Sequence, residues 1–469
     1  MASSVPPSLE QDSTAGRDPA LQLPFELFSE ILLLSIDEGL NVETTVKRPL
    51  VLSQVSQHWR SVSLSTLRLW SRLHLQITRS KATRHASLVE TWLTRSDSCP
   101  LQLHILWDEE VSSMSHPVLQ AIVQHSDRWQ RILLHLPTTA FPSLAPIKGH
   151  LLILTELSLG SNDFSRLTLD MFETAPMLRS FESINLSPLD LSLPWAQLST
   201  IPIVSISIPE CLEIQRRCPR LQNGTFILTF QFHSSLQGFD IDIRTPFIRS
   251  ITFVSSPWST FLDINLLLER CTYPQLVDLQ MCDFRVPPRA QLPSFLARSP
   301  NLRSLDLRRV ALSSEDLIAC LQSVPNLVSL KLVENSGTGN FFTRDFLVAM
   351  MFSLQSAAGD GDTAYAGSSS SNYLVPHLKH LEIFISPSDS VVPLGSFVTM
   401  VESRCGLGTG NQLTSVHLWM KNLNMVYEVL GTERAEDVQE RIFKLQDEGV
   451  DVTLGDFSPS SYDHHVSVM

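Results

Sequence analysis

One pattern constrains this chain more than any other. The spacing L-x-x-L-x-L, with other apolar residues admitted at the Leu positions, recurs along most of its length. It reads Leu154/Leu157/Leu159, Ile248/Ile251/Phe253, Leu276/Leu279/Met281 and Leu302/Leu305/Leu307. It continues as Leu327/Leu330/Leu332, Leu378/Leu381/Ile383 and Leu413/Val416/Leu418. An earlier copy is Trp129/Ile132/Leu134, and weaker ones begin at Leu178 and Leu221. Counted from Trp129, successive starts lie 25, 24, 43, 27, 28, 26, 25, 51 and 35 residues apart. The last two apolar positions alternate with polar ones, as in Leu305-Asp306-Leu307, which is the period of a strand with one buried face. Between kernels lie short helical stretches, such as the one entered at Ser313 or Ser314 ahead of Glu315 and Asp316. Pro274, Pro300, Pro325 and Pro376 precede kernels, where proline ends a helix and sets the chain extended. One strand and one helix cannot bury their own apolar face, so such units must stack.

In kernel and period these residues resemble leucine-rich repeats, whose period is about 20–29. The Asn that usually follows the strand occurs only as Asn162 and Asn335, so the array is irregular. The resemblance implies an α/β fold in which residues beside the buried strand Leu face a concave surface. Here these are Asp306, Arg308, Lys331, Glu334, Glu382, Phe384, His417 and Trp419, the expected target-binding set. A helix over about Ala435 to Asp447 and a strand over Val450–Leu454 are expected to cap the array with Val438, Ile442 and Leu445.

Residues 23–75 follow a different grammar. Leu23-Pro24 opens a helix with apolar Leu27, Phe28, Ile31 and Leu32. After a loop from Asp37 to Pro49, Leu52, Val55, Trp59 and Val62 mark a second amphipathic helix. Together with Glu26, Ser56, Arg60, Leu69 and Trp70, these residues resemble the F-box family. The phrases around Trp92 and His125–Trp129 are similar to fungal F-box-like proteins with degenerate leucine-rich repeats. The resemblance implies the substrate-recognition subunit of an SCF-type cullin–RING ubiquitin ligase. Its F-box would dock on a Skp-family adaptor, and through it a cullin, while the repeats capture a protein target. Leu23, Pro24, Leu27, Ile31, Leu52, Val55, Trp59 and Trp70 would then be the adaptor-binding residues. The segment between Ile31 and Val55 is longer than in the compact F-box, with Gly39 to Arg48 inserted. The alternative is a repeat scaffold that binds partners without ligase engagement.

The expected organisation is therefore a small all-α F-box module at 21–75 followed by an irregular leucine-rich-repeat solenoid at 76–457. The N-terminus (1–20), an insertion (357–373) and the tail (458–469) read as disordered, and 421–457 as the C-terminal cap.

Composition narrows the function. A net charge of −13 leaves no basic excess to neutralise phosphates, so nucleic-acid binding is not expected. No apolar run approaches the roughly 18 residues of a membrane span, and no signal peptide is visible. Seven cysteines without a CxxC pair read as reduced thiols of a cytoplasmic or nuclear protein. There is no P-loop, GxSxG, HExxH or dinucleotide fingerprint. Gly406–Gly410 reads as a loop, and Asp360-Gly-Asp362 lacks further calcium ligands. His377/His380 and His464/His465 have no ligand partners at metal spacing. Neither catalysis, nor a cofactor, nor a metal is expected. From Asn422 onward the chain carries ten acidic and three basic residues, so about half the charge surplus sits in its last tenth.

Residues 357–373, AAGDGDTAYAGSSSSNY, offer few apolar side chains to pack. Deleting them should leave the thermal melt nearly unchanged, as calorimetry on the deletion variant would check.

Overall fold

The computed structural model describes residues 23–37, 48–107, 116–163, 167–229, 242–259, 262–288, 291–334, 341–352, 374–385, 393–405, 413–421 and 432–456. The segments expected to be disordered at 1–20, 357–373 and 458–469 lie outside these. The chain divides into two compact units: residues 1–178 with 191–193, and residues 179–190 with 194–469.

The first unit opens with α1 (Phe25–Asp37), α2 (Arg48–Val55) and α3 (Gln57–Ser65). The chain breaks between α2 and α3 at Ser56, whose hydroxyl caps α3 by accepting from the Trp59 N–H at 3.2 Å. A single 3-10 turn, Leu67–Trp70, leads directly into β1 (Arg72–Ile77). Then follow α4 (Ala82–Arg95), β2 (Leu101–Trp107), α5 (Pro117–Val123), β3 (Trp129–His135) and β4 (Glu156–Gly160). β1 to β4 pair in chain order, all parallel.

The second unit holds ten more strands of the same kind. These are β5 (Ser180–Ile184), β6 (Thr200–Ile206), β7 (Asn223–Leu228), β9 (Ser250–Ser255) and β11 (Asp278–Cys282). They continue as β12 (Ser304–Arg308), β13 (Ser329–Val333), β14 (His380–Ile385), β15 (Ser415–Met420) and β16 (Asp451–Asp456). Two short strands, β8 (Ile243–Arg244) and β10 (Cys271–Thr272), pair apart from these. The helices are α6 (Ile208–Arg217), α7 (Asn265–Arg270), α8 (Gln291–Ala297), α9 (Ser314–Gln322), α10 (Arg344–Met350), α11 (Leu394–Cys405) and α12 (Thr432–Asp447). From α7 to α12 each helix packs on the next, so a helical layer runs in the same order as the strands.

This architecture corrects the expected fold. Among the described residues the fold is α/β, with four parallel strands in the first unit and twelve in the second, two of these a separate short pair, and not a small all-α F-box module followed by a leucine-rich-repeat solenoid. Two physical reasons stand out. The helices of 21–75 do not close a core of their own: Leu69 and Trp70 are buried, and Trp70 meets Trp92 of α4 edge to face at 4.8 Å. No boundary falls at 75, since β1 begins inside the expected module and the first unit extends to Leu178. Nor does one strand plus one helix repeat throughout: between β5 and β6 only two single 3-10 turns occur.

Individual kernels nevertheless lie where strands form, because their alternation needs a buried side. Leu305 and Leu307 are buried while Asp306 and Arg308 are half-exposed. The entry prolines work with Asn: Asn301 Nδ2 donates to Pro274 O at 2.9 Å and Asn326 Nδ2 to Pro300 O at 3.3 Å. Ser313 caps α9 with Asp316 in a reciprocal capping box. Val438, Ile442 and Leu445 of α12 are buried.

One buried charge organises the region around α10 and α11. Arg404 is 2% exposed and donates to the carbonyls of Met350 (2.6 Å), Leu374 (2.7 Å) and Val375 (3.2 Å). Its guanidinium also lies 4.5 Å from the Phe352 ring centroid. Burial pulls its pKa down to about 10, so it stays charged at neutral pH. Arg404→Met would strand three buried acceptors. It should cost at least about 3 kcal/mol, read as a lower urea midpoint at unchanged m-value.

Candidate protein-interaction surfaces

The first surface belongs to the N-terminal helices. The apolar residues of α1 divide between two faces. Phe28 and Leu32, at i and i+4, are buried. Phe28 stacks on the His58 ring at 5.4 Å and meets Trp59 edge to face at 4.9 Å. Leu27, Ile31 and Leu34, at i, i+4 and i+7, form an outward stripe, with Leu27 56% exposed. α2 adds Val51 and Val55, the latter 58% exposed. Nine of the seventeen exposed large apolar residues described lie between Leu23 and Leu67, so the apolar exposure is concentrated here.

The expected adaptor-binding residues thus sort into three groups. Leu23, Pro24, Leu27, Ile31 and Val55 are exposed, whereas Leu52 and Trp59 are half-buried. Trp70 must be corrected: it is 1% exposed and belongs to the core. Its Nε1 donates to Ser63 O at 2.9 Å, and the Arg95 guanidinium covers its ring at 4.2 Å. Beside the stripe lies a cleft of ≈ 470 Å³ whose walls include Glu30, Leu33, Leu34, Arg68 and Arg72. Glu30 and Arg68 pair there at 3.2 Å, both well exposed, so the pair contributes little to stability.

The second surface is the strand face opposite the helices in β12 to β16. Register places Asp306, Lys331, Glu382, His417 and Thr453 in one row. Arg308, Val333, Phe384, Trp419 and Gly455 form the next. Seven of the eight expected target-binding residues therefore share one face. Six are half-exposed, whereas Phe384 is 1% exposed and cannot offer much contact area. Glu334 turns away, with its Oε1 buried. Burial pushes its carboxyl up to about 7, against the opposing pull of the Phe341 and Phe342 N–H groups.

The charges of this face are already matched. Arg308 grips Asp306 through three contacts of 2.7–3.0 Å. Lys331 pairs with Glu382 at 2.5 Å and sits 5.0 Å above the Phe384 ring. Arg308 and Lys331 are diagonal neighbours, since Lys331 faces Asp306 and Arg308 faces Val333. Reversing both would set new carboxylates against Asp306 and Glu382, so that change tests the fold as much as recognition.

Ser415, His417 and Asp451 also meet here, the residue types of a nucleophilic triad. Their wiring differs: Ser415 Oγ (2.7 Å) and Asp451 Oδ2 (3.6 Å) both approach His417 Nε2. In a working triad the carboxylate instead holds the second ring nitrogen. Among the described residues no group of three His, Cys, Asp or Glu is placed to hold a metal ion. Nor is any described helix long and apolar enough to cross a membrane.

Two features went unread in the sequence. The Trp419 ring stacks on Phe384 at 6.0 Å and 10°, and lies over Gly455, where a Cβ would collide with it. In the first unit His74 and His104 stack with ring centroids 3.7 Å apart. The shared phrase Leu73-His74-Leu75 and Leu103-His104-Ile105 was the available signal.

No family model matches this chain, and no curated protein matches it. Among solved structures, a structural-genomics target from Bacteroides fragilis is similar at 11% identity and a TM-score of 0.29. The match covers 55% of this chain and 67% of that one, a likeness too slight to assign fold or function.

Gly455→Val should expel the Trp419 ring from its seat. The expected outcome is a red-shifted tryptophan emission and a loss of about 1–3 kcal/mol from overpacking, measured by fluorescence and chemical unfolding.

Proposed function

We propose that this chain is a non-catalytic receptor subunit. Its N-terminal helices dock a Skp-family adaptor of a cullin–RING ubiquitin ligase, and its parallel strand face receives a protein target, in the cytoplasm or nucleus. The observation that carries the reading is the outward stripe of Leu27, Ile31 and Leu34, joined by Val51 and Val55. A helix that buries Phe28 and Leu32 and still leaves this much apolar surface uncovered has a second partner to meet. The resemblance of Leu23-Pro24, Val55-Ser56 and Trp59-Arg60 to the F-box family supplies that partner's identity. The mixed, self-paired charges on β12 to β16 favour recognition by shape and exchange of ion pairs over attraction to one sign of charge.

The test is capture of a purified Skp-family adaptor by the full chain. Leu27→Arg with Ile31→Arg should weaken capture at least tenfold, while stability changes by no more than about 0.5 kcal/mol. Phe28→Ala should instead cost about 3–5 kcal/mol. If the unaltered chain captures no adaptor, the scaffold reading replaces the ligase one.

A further inference from the structure

Outside both surfaces, the first unit contains an arrangement that depends on protonation state. His74 of β1 and His104 of β2 are register partners, and their rings stack at 3.7 Å with a 30° tilt. His74 Nε2 is buried without a hydrogen-bond partner, so a proton placed there would be a sealed donor with no acceptor. Two imidazolium rings at this separation would also repel each other directly.

We propose that the His74–His104 stack is an acid-sensitive latch, holding β1 to β2 while both rings are neutral and releasing that edge when either is protonated. The surrounding groups make the neutral state the stable one. On the same face stand Arg72 of β1 and His135 of β3. Arg131 of β3 is already bound to Glu156 of β4 at 3.1 Å. Glu30 and Arg68 share the neighbouring cleft with Arg72. Among the described residues, none of these pairings leaves a carboxylate set against the two imidazoles. Burial, then His74 and His135, bring the pKa of His104 down to about 4, and burial lowers that of His74 as well.

The sign follows directly. The folded pKa lies below the unfolded value of 6.5, so the folded unit binds fewer protons than the unfolded chain in this window. The stabilisation is complete above pH 6.5 and is lost as pH falls toward about 4. The three N-terminal helices belong to the same unit, so acid would loosen the part of the chain that carries the apolar stripe. The latch itself does not depend on what that stripe binds.

Hydrogen exchange of the full chain, corrected for intrinsic rates, provides the test. Between pH 6.5 and 5, segments covering β1 and β2 should open about tenfold more readily for each unit of pH lowered. Those covering β12 and β13 should not change. In His104→Gln, whose side chain does not titrate, the β1 and β2 profile should flatten. A flat profile in the unaltered chain, or equal acid sensitivity in H104Q, would overturn the latch. Should H104Q fail to fold, NMR titration of the native imidazoles decides. His104 remaining neutral at about pH 5.5 supports the proposal, and its ordinary titration near 6.5 refutes it.

Discussion

Everything in the second unit hangs on a relay of backbone hydrogen bonds at the strand entrances. The Val277 carbonyl accepts from both Arg303 and Ser304, the Arg303 carbonyl from Val328 and Ser329, and the Val328 carbonyl from Lys379 and His380. The Lys379 carbonyl in turn accepts from Thr414 and Ser415. Upstream the same arrangement passes through Arg179, Ser199, Gln222 and Arg249. Each entry residue therefore receives two donors from its successor and gives its own to its predecessor. A chain of aligned amides in a partly dry setting strengthens its members together. The side-chain pattern, the turn asparagines and the aromatic seat at Trp419 all take their positions from this relay.

The relay also explains how much of the fold could be read from residues. Leu305/Leu307 and Leu330/Leu332 were legible as strand positions because alternation is a direct image of one buried face. β1 and β2 alternate as strictly as the kernels do, with every second residue buried. β6 and β16 do not, and their membership comes from backbone pairing with a neighbour. Thr200–Ile206 shows the difficulty: its register with β5 and β7 shifts, so its apolar residues lose strict alternation. The expected boundary at 75 failed for a related reason. Leu69 and Trp70 read as the end of a helical module, but their burial is supplied by α4, twenty residues further on.

At the surfaces, sequence placed residues on the correct face more readily than it judged their exposure. Asp306, Lys331, Glu382 and His417 do form one row, as alternation requires. Phe384 shares that face yet is sealed, because Lys331 and Trp419 close over it from adjacent strands. Leu27 and Phe28 are neighbours, yet one is 56% exposed and the other 2%, a distinction set by which side α3 packs on. Pairing of charges is likewise a property of neighbours: nothing local in Lys331 announces that Glu382, fifty-one positions later, will neutralise it.

Arg404 has a consequence for how the chain is joined. Its guanidinium gathers carbonyls from Met350 on one side and from Leu374 and Val375 on the other, while Ser403 Oγ accepts from the Phe352 N–H. The two flanks are thus fastened to one helix end independently of the polypeptide that links them. One arginine thus ties the end of α10 to the chain that enters β14, while the backbone relay sets the register of β13 against β14.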